Sequence, residues 1–308
     1  MLYYNITKIP HCLTTMHRVL LLFLLLAPFL PALTHADTVR VAVTIKPLHS
    51  LVAGVMHGIA EPALIMAGGA SPHHYSLRPS ERRTLANADL IIWIGPELET
   101  FMPRILENFA LSTTAVALID APGLQPLTTR SRGHHKHTHA HIDPHIWLSA
   151  RNVHALVDEI TTRLIVLDAS NADRYEANRQ RLHKRIKETD AAIQHKLAGK
   201  KSPYLSYHDA YQYFEQAYGL NHAGFVNSGD EVNPSARHVQ QLRRIIRDQQ
   251  VHCLVYEAPN RPALVDTLTK DFDVKVMELD AIGLRLNAGE DTWFEIMHNL
   301  AETYAACL

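Results

Sequence analysis

"NADRYEANRQRLHKRIKETDAAIQHKLAG" (171–199) carries a helical pattern that runs unbroken until Gly199 stops it. At 1.5 Å per residue, a helix of about 27 residues reaches roughly 40 Å, the length of a small domain. That length and its strongly charged faces suit a connecting rod better than one more surface helix. The preceding segment, from Ser149, is also helical in period with almost no β-branched clustering, and Ser170-Asn171 is its punctuation.

On either side of this segment short apolar runs alternate with helical ones. Before it, "VRVAVTI" (39–45), "ADLIIWIG" (88–95) and "TTAVALID" (113–120) read as strands. "HSLVAGVMHG" (49–58) and "ELETFMPRILENF" (97–109) read as helices between them. After it, "SPYLSY", "HAGFV", "VHCLVYEA" and "DVKVMEL" are strands, separated by helical "HDAYQYFEQAYG", "SARHVQQLRRIIRDQQ" and "RPALVDTLTKDF". "DTWFEIMHNLAETYAACL" (291–308) closes the chain as a helix. Strand-helix alternation means mainly parallel sheets with helices on their faces. The expected fold is therefore α/β: two lobes, each a mainly parallel sheet flanked by helices, bridged by one long rigid helix. The expected divisions are 1–36 as a cleaved signal peptide and 37–148 as the N-terminal lobe. A helical segment at 149–198 follows, with the linker at about 171–198, and then the C-terminal lobe at 199–308.

The signal peptide rests on His17 and Arg18 leading into "VLLLFLLLAPFLPAL" and then small or polar residues up to Ala36. The apolar run of roughly 15 residues with two prolines is shorter than the about 20 a spanning helix needs. Met16 begins a better signal peptide than Met1 does. These features predict export, with cleavage near Ala36 and a soluble periplasmic product. Of three cysteines, Cys12 should leave with the signal. Cys253 and Cys307 remain as an even pair in an oxidising compartment, which predicts a disulfide; zinc thiolates would need CxxC-like spacing. Thirty basic against 31 acidic residues leave no nucleic-acid footprint.

The chain holds 21 histidines, six of them in "GHHKHTHAHIDPHIW" (133–147). Ligand sites in open α/β sheets lie beyond the carboxyl ends of strands. His208 follows "YLSY" and Asp280 follows "VKVMEL". His73 sits in the loop after "EPALIM", and His145 in "DPHIW" just before the helical segment. Two candidates thus come from each lobe, and three imidazoles with a carboxylate suit Zn²⁺.

"GASPHHYSLRPSE", "ADLIIWIGPELETFM", "DPHIWLS", "YHDAYQYFE", "YEAPNRP" and "ELDAIG" occur in this order over nearly the whole mature chain. With these motifs the sequence resembles the ZnuA-like periplasmic zinc-binding receptors of bacterial ABC importers, within the cluster of zinc and manganese receptors. The resemblance implies metal held in the inter-lobe cleft by His73, His145 and His208, with Asp280 at the fourth position. It implies as partners a zinc ion, a membrane permease and its ATPase subunit, and the protein is expected to be a monomer that is not an enzyme. Manganese receptors resembling this family tend to carry a carboxylate where this chain has His208, and three imidazoles favour zinc. Pro72 stands where some zinc receptors have an acidic residue, and Ala281 replaces a frequent proline. The fourth ligand therefore stays open between Asp280, a water and an exchangeable pair, while His74 competes with His73. His134, His135, His137, His139 and His141 are expected to form a secondary, weaker zinc site in a loop. The alternatives are a receptor for manganese or another divalent metal, or a secreted zinc-dependent hydrolase with Glu231 or Glu257 as base. The hydrolase lacks an HExxH motif, and no GxxxxGK[ST] nucleotide loop is present.

Overall fold

The computed structural model describes Met1 and residues 39–68, 71–108, 113–130, 141–227, 234–259 and 261–308. The expected signal segment beyond Met1, Cys12, Glu231 and His134, His135, His137 and His139 lie outside the described residues. All described elements belong to the unit Val39–Leu308.

Four strands precede the long helix: β1 (Val41–Val43), β2 (Ala63–Leu64), β3 (Leu90–Trp93) and β4 (Thr114–Ala117). They form a parallel sheet in the order β2-β1-β3-β4. Four follow it: β5 (Tyr204–His208), β6 (His222–Asn227), β7 (Cys253–Glu257) and β8 (Lys275–Leu279), parallel in the order β6-β5-β7-β8. The second order repeats the first, so both sheets start at an inner strand and reverse direction beside it. Crevices at such switch points are where open sheets bind ligands. β1 and β3 are buried along their whole length, as strands covered on both faces should be.

The helices among the described residues are α1 (Lys46–Val55), α2 (Pro79–Ala86), α3 (Met102–Leu106), α4 (Ala150–Leu167), α5 (Ala172–Lys196), α6 (Gln212–Tyr218), α7 (Ala236–Asp248), α8 (Ala263–Thr269) and α9 (Thr292–Cys307). The long helix is α5, with 25 residues, or about 37 Å. Its buried stripe of Tyr175, Leu182, Ile186, Thr189 and Ile193 has helical spacing and faces α1, α4 and α9. Leu182 lies so close to α1 that a Cβ on Gly54 would meet its Cδ2 at 2.8 Å. The break between α4 and α5 is held by Asp168, whose carboxylate accepts from Ser170 Oγ at 2.6 Å, Asn171 Nδ2 at 2.8 Å and Tyr175 Oη at 3.0 Å.

Several boundaries differ from the expectation. α1 begins at Lys46 rather than His49, because Pro47 fits a first helical turn. α3 begins at Met102, well inside the expected 97–109 helix. Its would-be first turn is taken up by Glu99, which points inward and accepts from Ile94 N at 3.2 Å, Gly95 N at 3.1 Å and Thr44 Oγ1 at 2.5 Å. Burial pushes that carboxyl up to about 7 despite these donors. α2, which follows the His73 loop, was not expected.

One apolar cluster runs through both halves of the molecule, and a smaller one fills the space between β5–β7 and helices α7 and α8. Two buried tryptophans stitch the large cluster: Trp293 Nε1 donates to Trp147 O, and Trp147 Nε1 donates to Ala281 O, each at 2.9 Å. The Cys253–Cys307 disulfide is present and ties the start of β7 to the end of α9. No helix among the described residues is long and apolar enough to cross a membrane.

Candidate metal centre

Three histidines from separate parts of the chain meet at the carboxyl ends of the strands. His73 lies on a 3₁₀ turn, Pro72–His74, after β2; Ser71 caps this turn by accepting from His73 N. His145 immediately precedes the 3₁₀ turn Ile146–Leu148 that leads into α4. His208 is the last residue of β5. Ring centroids are 5.7 Å apart for His73 and His145, 5.8 Å for His73 and His208, and 5.3 Å for His145 and His208. One ring nitrogen from each lies within 4.8 Å of the other two. Tetrahedral zinc with Zn–N of about 2.1 Å needs nitrogens roughly 3.4 Å apart, a small inward adjustment of side chains.

Two carboxylates set which nitrogens face inward. Asp143 Oδ1 accepts from His145 Nδ1 at 2.7 Å and from His145 N at 3.0 Å. Glu257 Oε2 pairs with His208 Nδ1 at 2.7 Å. Each pairing leaves Nε2 to the cleft, the arrangement that carboxylates impose on metal-binding histidines. Asp143 is in turn held by Gln212 Nε2 at 3.2 Å. Among the described residues no carboxylate is bonded to His73, and its Nε2 is buried without a hydrogen-bond partner.

The electrostatics differ between the rings. Burial, and then the charges of His145 and His208, push His73 down to about 3. Burial also disfavours charge on His208, but Glu257 outweighs it and raises that ring above its ordinary value. Burial alone would raise the Glu257 carboxyl; His208 above all holds it down at about 2.

The cleft is a cavity of about 270 Å³ whose walls include the three histidines, Glu257 and Asp280. Asp280 follows β8, and its Oδ2 accepts from Arg285 N at 3.4 Å. Its Oδ1 is buried without a hydrogen-bond partner. Asp280 is not in the group of three whose ligand atoms lie within 4.8 Å. His74 is exposed beside His73 and also stays outside that group. His141, at the end of the histidine-rich stretch, is exposed, with its carbonyl accepting from Thr129 N at 2.9 Å.

Two buried, unpartnered atoms, His73 Nε2 and Asp280 Oδ1, thus line one cleft beside two imidazoles whose Nδ1 atoms are bonded to carboxylates. The family model described as "ZnuA: Zinc-uptake complex component A periplasmic" matches residues 41–307. The chain belongs to the ZnuA family. The high-affinity zinc uptake system protein ZnuA of Brucella abortus (strain 2308) is 30% identical over 329 residues, covering 95% of this chain and 98% of that one. A solved ZnuA structure superposes with a TM-score of 0.77 at 21% identity, covering 88% of this chain and 99% of that one. The binding protein FpvC from Pseudomonas aeruginosa in complex with Mn²⁺ gives 0.76 at 20% identity, covering 88% and 98%. Membership makes the protein a periplasmic metal-binding receptor of a zinc-uptake complex and not an enzyme.

The three converging histidines are visible in the sequence, while their carboxylate partners, Asp143 and Glu257, emerge from the fold. Asp143 stands in the quoted "DPHIW" motif, two residues from its histidine. Glu257 ends β7, so the same strand-end rule that found His208 also points to it. Rather than standing free as a hydrolytic base, it is bonded to His208 Nδ1.

Proposed function

We propose that the protein captures Zn²⁺ in the periplasm through His73, His145 and His208, with Asp280 as fourth ligand, and passes it to an ABC-type permease driven by its ATPase. The observation that carries this reading is the pair of carboxylate-held imidazoles that turn Nε2 toward His73 Nε2. His208 supports zinc over manganese, because a third imidazole softens the donor set. The unpartnered Asp280 Oδ1 supports that carboxylate as the fourth donor. His134, His135, His137, His139 and His141 form a secondary, weaker collecting site, a reading supported by the density of histidines in the sequence. The mature protein begins near Asp37, after removal of residues 1–36, and acts as a monomer. The 25-residue helix α5, packed on α1, α4 and α9, supports a rod that limits lobe motion.

Competition for the chelator-stripped protein between Zn²⁺ and Mn²⁺ tests the metal. Zinc should displace manganese completely at equal concentrations; a site that keeps manganese against equimolar zinc would sink the zinc assignment.

A further inference from the structure

Lys46 opens α1 in the first half of the molecule, only 7% exposed. Its Nζ donates to Gly283 O at 2.9 Å, Leu284 O at 3.1 Å and Leu286 O at 2.9 Å. Three carbonyls thus match the three hydrogens of an ammonium group. Lys46 makes no ion pair among the described residues, so its charge is held by backbone dipoles of a loop more than two hundred positions away. That loop begins at Asp280. It turns at Gly283, where φ is +69° and the turn is closed by Leu286 N donating to Gly283 O at 3.1 Å.

The consequence follows from peptide geometry. In a planar trans peptide the C=O and N–H of one unit point in opposite directions. The carbonyl of Leu284 points at Lys46, so the N–H of the same peptide, that of Arg285, points away from it. Its acceptor is Asp280 Oδ2 at 3.4 Å. With Oδ2 engaged on that side, Oδ1 is left buried in the cleft wall without a partner. Trp147, two residues after His145, fixes the near end of the loop through Ala281 O at 2.9 Å.

We infer that Lys46 is a positioning residue for the metal site: by fixing the Leu284–Arg285 peptide it presents the Asp280 carboxylate to the ion. The inference rests on the receptor reading above and deepens it. Without the lysine, the part-buried carbonyls of Leu284 and Leu286 lose this donor and Gly283 O keeps only Leu286 N, so the Leu284–Arg285 peptide is free to rotate and Asp280 loses the contact that orients it.

The test is a double-mutant cycle on the full chain, with zinc affinity read by competition with a chelator. K46M and D280N should each weaken zinc binding about tenfold, in the range that outer partners of metal ligands show. The double variant should be no weaker than D280N alone. Manganese binding should fall by a larger factor than zinc in K46M, because a lost carboxylate costs a hard ion more; a merely loosened fold would lower both equally. Losses that multiply in the double variant, a silent K46M or a silent D280N each overturn the inference. If K46M does not fold, K46Q is run through the same cycle and the same coupling decides. His208→Ala separates the two levels: if it abolishes tight binding while the cycle shows no coupling, this inference falls and the receptor reading stands. If His208→Ala is silent, the receptor site itself falls.

Discussion

Two histidine clusters in this molecule differ in how their ring nitrogens are spent. On the helical rod, His154 of α4 and His183 of α5 bring their Nδ1 atoms to 2.5 Å, with ring planes 25° apart and centroids at 4.7 Å. His183 Nε2 is bonded to Asp158 Oδ1 at 2.8 Å, and Arg179 Nη1 holds the same oxygen at 2.7 Å. In the cleft, His73, His145 and His208 also have carboxylates behind two of their rings, but the rings are tilted and no hydrogen bond joins them. The first cluster spends three of its four ring nitrogens on each other and on Asp158. The second leaves them facing a cavity. Nitrogens that are oriented yet unspent, more than the number of histidines, make the cleft the candidate for metal.

That comparison can be broken by changing the groups behind the rings. Asp143→Asn or Glu257→Gln should weaken zinc binding roughly 10–100-fold, as loss of an outer carboxylate partner typically does. Calorimetric titration checks it, and an unchanged affinity would mean that the carboxylates serve the fold alone. Acidification should act next most strongly. His208 lies above its ordinary value, and a protonated ring cannot ligate. Affinity should therefore fall as pH falls, starting above about 6.5, by about tenfold per unit for one displaced proton. His73, at about 3, is already neutral and adds no competition until far lower pH. Proton release measured in buffers of different ionisation enthalpy should approach one per zinc from this ring. Release that vanishes at pH 6 would contradict the assignment.

The smallest effect on zinc is expected on the rod. His154→Ala should leave the tight zinc affinity within about twofold and lower stability by about 1 kcal/mol, the net worth of one hydrogen bond. Chemical denaturation alongside zinc titration measures both. A large loss of tight zinc would make the rod cluster part of the receptor and erase the distinction drawn here.

Much of this was legible in the sequence, for physical reasons that differ by element. β1 and β3 announce themselves as apolar runs because parallel strands are buried on both faces. The α5 rod is readable from its period, and its break with α4 from Ser170-Asn171, whose side chains bond Asp168. His208 is readable from its place at a strand end. α3 was overestimated because an inward-turned Glu99 is invisible to periodicity. Lys46 was missed altogether: a lysine opening an apolar helix carries no local sign that it will meet carbonyls of residues 283–286. The place of Asp280 just after β8 is readable, while its contact with Arg285 N, in a loop bonded to that same distant lysine, is not. Local chemistry was readable; long-range partnership was not.

The most direct test of the central claim is calorimetric zinc titration of the chelator-stripped protein, beside His208→Ala and a deletion of residues 134–141. The account predicts that His208→Ala loses the tight site and that the deletion keeps it, losing only weaker binding. If the deletion abolishes tight binding while His208→Ala is silent, the histidine-rich stretch is the receptor and the cleft is not.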